Sequence, residues 1–466
     1  MSPPLPCPKR ARVATAPYGA GAPWASLPED LVQLIGWRVL SGDLLDYVRF
    51  RAVCAHWSRS AARPGGRGLL DPRFHPRRWM MLPEGHGLYP GHPALGGHVR
   101  FLNLSTGALA RLHLPLFHDH VILGCTDGLL LLLRHCDPGD TAVRLLHPFT
   151  GDVAELPPLS SLLPQMERYG DMTEYSKLSR LRGFLSGVGA AVTVGPAAAG
   201  AITVVLALES KHLVAHATTG DQRWTLSASR LPRVLGRTVS FHGNLYAVTP
   251  KFRQTNSVHI WQIDPPELDA AEGRTLLPPR IIAHCPLAAI PDAVHLVECG
   301  SELMVVGFND SKRTDLAVYR VADLISGRVV PITNIGEHAL FLGTRPLYAS
   351  QNKGLPSVVA NSITCRYRVT KNDALRGGRP FRITEQYHIG TGTWSPATDE
   401  GISCWNEPPA SPYMLIHHIF TCCQHSYWNK GLIFHDKIKL DWSVKPNLWM
   451  YGPKSSTKLQ SSSRQS

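Results

Sequence analysis

Four side chains near the carboxy-terminal end, Cys404, Cys422, Cys423 and His425, are of the types that hold zinc. Two thiolates share one tetrahedral ion when they stand two residues apart, usually with a second such pair. Cys422 and Cys423 are adjacent and no second pair follows, so no metal is expected. Gly452-Pro453-Lys454-Ser455 ends like a phosphate-cradling loop but lacks the glycine five positions before Gly452. Gly187-Val188-Gly189 is a fragment of a dinucleotide fingerprint without the helix that would hold a pyrophosphate, and reads as a tight turn. His86, His92 and His98 fall in one Gly/Pro-rich loop and His113, His118 and His120 in another; with no HExxH pattern they read as solvated or half-buried side chains. No GxSxG elbow occurs, and Asn103-Leu104-Ser105 matches a glycosylation acceptor only by chance. No catalytic residue and no cofactor is expected, which leaves recognition as the chemistry to look for.

The composition fits folded domains. With 466 residues, 44% hydrophobic and 18% charged, the chain has length for roughly two to four domains and excludes a collagen-like fibre, a long coiled coil and wholesale disorder. The net charge of +13 sits at the ends: about 12 basic against 5 acidic residues in 1–80, about 7 against 2 in 429–466, and about 29 against 28 between them. A nucleic-acid groove would carry its excess on the folded surface, so nucleic-acid binding is a minor alternative. Ten dispersed cysteines suit a reducing compartment. The opening 1–22, Pro-rich and basic, lacks the apolar core of a secretory signal, so nucleus or cytoplasm is expected. Its run 8–13 (PKRARV) reads either as a nuclear import signal or as a solvated tail. The uncharged stretch 186–208 is long enough to cross a bilayer, but its glycines, Pro196 and β-branched residues divide it into two short strands.

From Trp24 to Ala62 the spacing is that of short helices. Glu29 and Asp30 suit a helix amino end, and Leu31, Leu34, Ile35 and Val39 recur at three and four. Ser41-Gly42-Asp43 stops this helix and starts a second carrying Leu44, Leu45 and Val48; a third holds Val53, Cys54 and Trp57. About forty such residues leave much apolar surface wet and need a partner. Leu27-Pro28-Glu29-Asp30-Leu31, then Leu44-Leu45, then Arg51-Ala52-Val53-Cys54 with Trp57 three residues on, resemble the F-box. That resemblance implies a three-helix module docking on a Skp-type adaptor of a cullin ubiquitin ligase. It implies adaptor contacts by Leu27, Pro28, Leu31, Leu34, Ile35, Leu44, Leu45, Val48 and Val53, with Cys54 and Trp57 in the module's own core. Gly36, inside the first helix, departs from the pattern at a cost of about 1 kcal/mol relative to alanine.

Beyond the Arg/Gly/Pro-rich 64–78 the chain turns to short alternating runs. Six segments place a glycine turn between strands, at Gly107, Gly151, Gly220, Gly273, Gly327 and Gly392. Three more, GCTDGLLLLL, SFHGNLYAV and VECGSELMVVG, open from a glycine turn into an apolar run that fits an inner strand. Two alternating strand types recurring over some 300 residues point to the blades of a β-propeller of five, six or seven blades, with a β-sandwich as the competing architecture. Together with the F-box pattern, RLLHPFTGDVAELPPL, SFHGNLYAV, IGEHALFLGTRP and YHIGTGTW resemble plant F-box proteins carrying domain of unknown function 295, also called KIB-like. That family's carboxy-terminal propeller is expected to recruit the protein to be ubiquitinated.

The expected fold is therefore α+β and multidomain. It comprises a disordered tail (1–22), an F-box (23–63), a linker (64–78), a propeller (79–400), an extension of uncertain form (401–445) and a disordered tail (446–466). The expected function is a non-catalytic substrate receptor holding a Skp-type adaptor and an unknown target protein, with no membrane association. A stand-alone propeller binding a small molecule or glycan is the alternative.

Overall fold

The computed structural model describes residues 24–397, apart from 83–94, 135–140, 167–187, 196–199, 252–253, 270–272, 292, 311–312, 344 and 369–380, together with 403–404, 415–416, 419 and 423. The tails 1–22 and 446–466, His86, His92, Gly187, Cys422, His425 and the segment 452–455 lie outside the described residues. The chain divides into two compact units, 1–63 and 64–466.

The first unit holds α1 (Glu29–Gly42), α2 (Leu44–Arg51) and α3 (Ala55–Ser60). Pro28 stands at the α1 N-cap, with Glu29 and Asp30 in the first turn where the helix dipole favours carboxylates. The Asp43 side chain caps α2 by accepting from the Leu45 and Asp46 N–H groups at 2.8 and 3.2 Å. Val53 and Cys54 precede α3 instead of lying within it.

The stripe of α1 that packs is not the one the spacing suggests. Val32, Gly36 and Leu40 are buried, whereas Leu31 and Leu34 are exposed. The reason is the bulk of α2. A Cβ on Gly36 would lie 3.1 Å from Phe50 Cε1 and 3.3 Å from Tyr47 Cε2, so the residue that weakens the helix permits the approach of two aromatic rings. Those rings continue a stack: Trp37 on Tyr47, Tyr47 on Phe50 with centroids 6.3 Å apart, and Phe50 on Trp57 at 4.5 Å.

The second unit is a six-bladed β-propeller. Blade 1 is β1 to β3 (Trp79–Leu82, His98–Asn103, Leu109–His113) and blade 2 is β4 to β7 (His120–Thr126, Leu129–Arg134, Val143–Leu146, Val153–Leu156). Blade 3 is β8 to β11 (Val188–Val194, Ile202–Leu208, Leu213–Thr218, Thr225–Leu226), so the uncharged stretch 186–208 forms two antiparallel strands. Blade 4 is β12 (Val239–Phe241), β13 (Asn244–Lys251), β14 (Gln254–Ile263) and β17 (Arg280–Cys285), interrupted by the hairpin β15–β16 (Glu267–Asp269, Gly273–Thr275). Blade 5 is β18 to β20 (His295–Cys299, Glu302–Phe308, Leu316–Arg320), followed by α4 (Val321–Ile325). Blade 6 is β21 to β25 (His338–Leu342, Leu347–Ser350, Ser362–Arg368, Phe381–His388, Thr393–Pro396), with β26 (Ser403–Cys404) added to β24. All pairings within blades are antiparallel except β21 with β23.

Apolar clusters join blades 2 and 3, 3 and 4, 4 and 5, 5 and 6, and 6 and 1. Phe149 closes the ring, its centroid 5.0 Å from Trp79 and 5.7 Å from Phe101 of blade 1. A closed ring of sheets packed on both faces explains the long buried runs of β5 and β9. In GCTDGLLLLL, SFHGNLYAV and VECGSELMVVG the apolar run after the glycine is the second strand of its blade, β5, β13 or β19, an inner strand paired on both edges, and the strand before it is the first of the blade. The run is apolar because neighbouring blades cover both of its faces.

Residues 64–78 are not a linker. Phe74 is fully buried, the Phe74 carbonyl accepts from His147 Nε2 at 3.0 Å, and the Asp152 carboxylate accepts the Gly66 and Gly68 N–H groups. His120, expected near the surface, is buried with Nδ1 donating to Asp119 Oδ1 at 2.6 Å.

Candidate functional site

The helical module presents an unusual amount of apolar surface. Leu34 is 60% exposed and Val53 62%, with Leu31 and Val48 also exposed; Leu27, Ile35 and Leu45 are half-buried. Leu31, Leu34 and Ile35 share one face of α1 by their spacing, as do Leu45 and Val48 on α2. Of the nine positions singled out for docking, only Leu44 is buried, at the start of α2 beside the module's core. Trp57 is buried as expected, while Cys54 is half-buried and its thiol caps α3, accepting from the Trp57 N–H at 3.5 Å.

The Leu27-Pro28 opening is held from α3. His56 Nε2 donates to the Leu27 carbonyl at 2.7 Å, and Trp57 Nε1 donates to the Trp24 carbonyl at 3.1 Å. Two bonds from one short helix fix a segment with little secondary structure of its own, so the exposed side chains stand on a rigid base.

In the propeller, the innermost segments surround a cavity of about 360 Å³. Every blade contributes: Arg77 and Arg78, Cys125, Gly189, Thr238, Glu298 and Arg345 each lie on its wall, from blades 1 to 6 in turn. Glu209 is buried there and well satisfied, accepting from the Thr238 N–H at 2.6 Å, the Thr238 hydroxyl at 2.8 Å and Arg237 at 2.7 Å. Arg345 donates to the carbonyls of Cys125 and Val188, bracing blade 6 against blades 2 and 3. Arg77 Nε stands 3.5 Å from Asp127 Oδ1.

Burial sets the protonation of this wall. It pushes the Glu298 carboxyl up to about 7, with the Asp127 charge adding to the rise and Arg77 and Arg78 opposing it. Burial also raises Asp127, but the His75 hydrogen bond and the Arg77 charge outweigh it, and its carboxyl stays below the usual range. The Cys125 thiol is pushed up to about 11 by burial and is no nucleophile at neutral pH. Among the described residues no three His, Cys, Asp or Glu side chains gather as a metal centre would.

None of this cavity was read from sequence as a site; Val188 and Gly189, weighed only as a fragment of a fingerprint, lie on its wall within β8. Arg77 and Arg78 lie in a segment read as a linker, and Arg345 is 220 residues from the carbonyl it meets at Cys125. Glu298 offered one signal: a carboxylate between the buried Val297 and Cys299 in a short strand.

A ring of six four-stranded or near four-stranded sheets around such a channel defines the class: a β-propeller that serves as an interaction domain. The KIB1-4 beta-propeller model matches residues 101–378, more than half of the chain, and the protein belongs to that family. Comparison with curated proteins finds no match. Among solved structures, Drosophila Plexin A in complex with Semaphorin 1b is similar over 58% of this chain and 72% of that one, at 8% identity and a TM-score of 0.21.

Proposed function

We propose that the protein is the substrate receptor of a Skp-cullin-F-box ubiquitin ligase, acting in the nucleus or cytoplasm, with no catalytic residue of its own. The helical module would hold the Skp-type adaptor and the propeller the target protein. The observation that carries this reading is the exposure of Leu31, Leu34 and Val48 on the helices, and of Val53 between α2 and α3, in a module whose core is already filled by other residues. Binding energy at interfaces concentrates in a few desolvated anchors, and a soluble module does not keep such side chains wet without use. The propeller of the KIB1-4 type supports the second half, since loops on a rigid ring suit recognition. Catalysis would then be proximity, the bound target's lysine gaining a high effective concentration near the charged conjugating enzyme.

The test is capture of a purified Skp-type adaptor by the full chain and by a Leu34→Ala/Val53→Ala variant. Both residues are exposed, so the variant keeps its melting temperature. The reading expects wild-type capture and at least tenfold weaker capture by the variant; equal capture by both, or none by either, overturns it.

A further inference from the structure

We propose that the central cavity of the propeller binds a small organic anion, an apolar body bearing one carboxylate or phosphate, with Arg78 as its principal charge partner. The inference stands on unit 64–466 alone and does not depend on the ligase reading.

The charge inventory of the wall leads there. Four guanidinium groups, Arg77, Arg78, Arg237 and Arg345, face two carboxyl groups, Glu209 and Glu298. Glu209 is committed to Arg237 at 2.7 Å, and Arg77 is shared with Asp127. The Arg345 bonds to the Cys125 and Val188 carbonyls orient that guanidinium on the wall. Arg78 has no carboxylate within 4.0 Å among the described residues. Guanidinium forks bind carboxylate and phosphate in bidentate fashion, so a wall arginine with no carboxylate partner is a ready contact for an anion.

The remaining wall specifies the rest of the ligand. Met80, Leu104, Val188, Ala190 and Leu347 supply apolar surface, which a hydrated inorganic ion would not use. The Ser240 hydroxyl at the wall has no hydrogen-bond partner among the described residues. The volume, about 360 Å³, lies within the range of roughly 300–1,000 Å³ of small-molecule sites.

The experiment titrates the full chain with 1-naphthyl phosphate and, separately, 1-naphthoate, following naphthalene fluorescence. 1-Naphthol serves as the neutral control and inorganic phosphate as competitor. The proposal expects saturable binding of at least one acid, at least tenfold weaker binding of naphthol, and a loss of tenfold or more in Arg78→Gln. Arg111→Gln, exposed on β3, should bind as the wild type does. Arg78 is exposed, so its variant should melt with the wild type. No binding of either acid, naphthol binding as tightly, or an unaffected Arg78→Gln overturns the proposal. Inorganic phosphate binding as tightly as naphthyl phosphate overturns the organic body, and whichever acid binds identifies the head group.

Discussion

The Asp152 carboxylate reaches from the β6–β7 hairpin to the backbone of Gly68, 84 residues earlier in the chain, and accepts its N–H at 2.8 Å. Its other oxygen takes the Gly66 N–H at 2.9 Å. One side chain therefore fastens the entry of the propeller unit onto blade 2.

Asp152→Ala should release both amides at a cost of about 1–3 kcal/mol. The Gly66 and Gly68 amides should exchange hydrogen faster in native-state exchange, while those of β5 stay protected. Unchanged protection at Gly66 and Gly68 would show that the neighbouring turns alone hold the segment.

Gly36→Ala sets two effects of opposite sign against each other. Alanine gains about 1 kcal/mol of helix propensity over glycine, but its methyl meets Phe50 Cε1 at 3.1 Å. Overpacking of this kind costs typically about 1–3 kcal/mol, so a net loss in the thermal stability of the helical signal is expected. A rise in melting temperature would mean that the ring turns aside freely.

Two leucines of α1 separate packing from presentation. Leu40 is buried at 6%, and Leu40→Ala should cost about 2–5 kcal/mol. Leu34→Ala, on the exposed face, should stay within about 0.5 kcal/mol of the wild type. Chemical denaturation of the two variants, followed by helical circular dichroism, measures both.

Glu298 should make the propeller less stable as pH rises. Its carboxyl sits near 7 in the folded protein against an ordinary value of 4.5, so between those values the folded state holds a proton that the unfolded state has released, and stability falls with pH. Asp127 acts oppositely: its lowered carboxyl contributes stability above the ordinary range that is lost in acid. Burial lowers His147 and His216 and gives a slope opposite to that of Glu298 below their ordinary 6.5. The difference between wild type and Glu298→Gln isolates the one group. The variant should gain on the wild type from about pH 4.5 to 7 and keep a constant advantage above. A flat difference across that window would refute the assignment.

The hairpins were the most legible part of the fold. Gly107, Gly151, Gly220 and Gly392 all have positive φ, a conformation that a residue without a Cβ adopts freely, so the local sequence announces the turn between blade strands. Gly273 and Gly327 are exceptions: Gly273 opens β16 in a hairpin inserted into blade 4, and Gly327, also at positive φ, ends α4, with the next strand, β21, starting only at His338. In the helices, spacing alone could not say which of two apolar stripes faces inward. That choice lies with Tyr47 and Phe50 on the next helix, which need the gap at Gly36. The cavity was illegible for a related reason: its arginines are brought together by ring closure, and no local pattern records a contact between blades 1, 4 and 6.

Ring closure also sets an order of events during synthesis. The Ser350 N–H bonds the Leu104 carbonyl, and Asn352 Nδ2 bonds the Ser105 carbonyl, across a separation of 247 residues. At about 5–20 residues per second, blade 1 would wait roughly 10–50 s for its last neighbour to leave the ribosome. The helical module, complete by residue 63, is free of that delay. It can fold while the ring is still open, and the nascent chain would carry its finished helices alongside an unfinished propeller whose first blade still exposes the apolar edge awaiting blade 6.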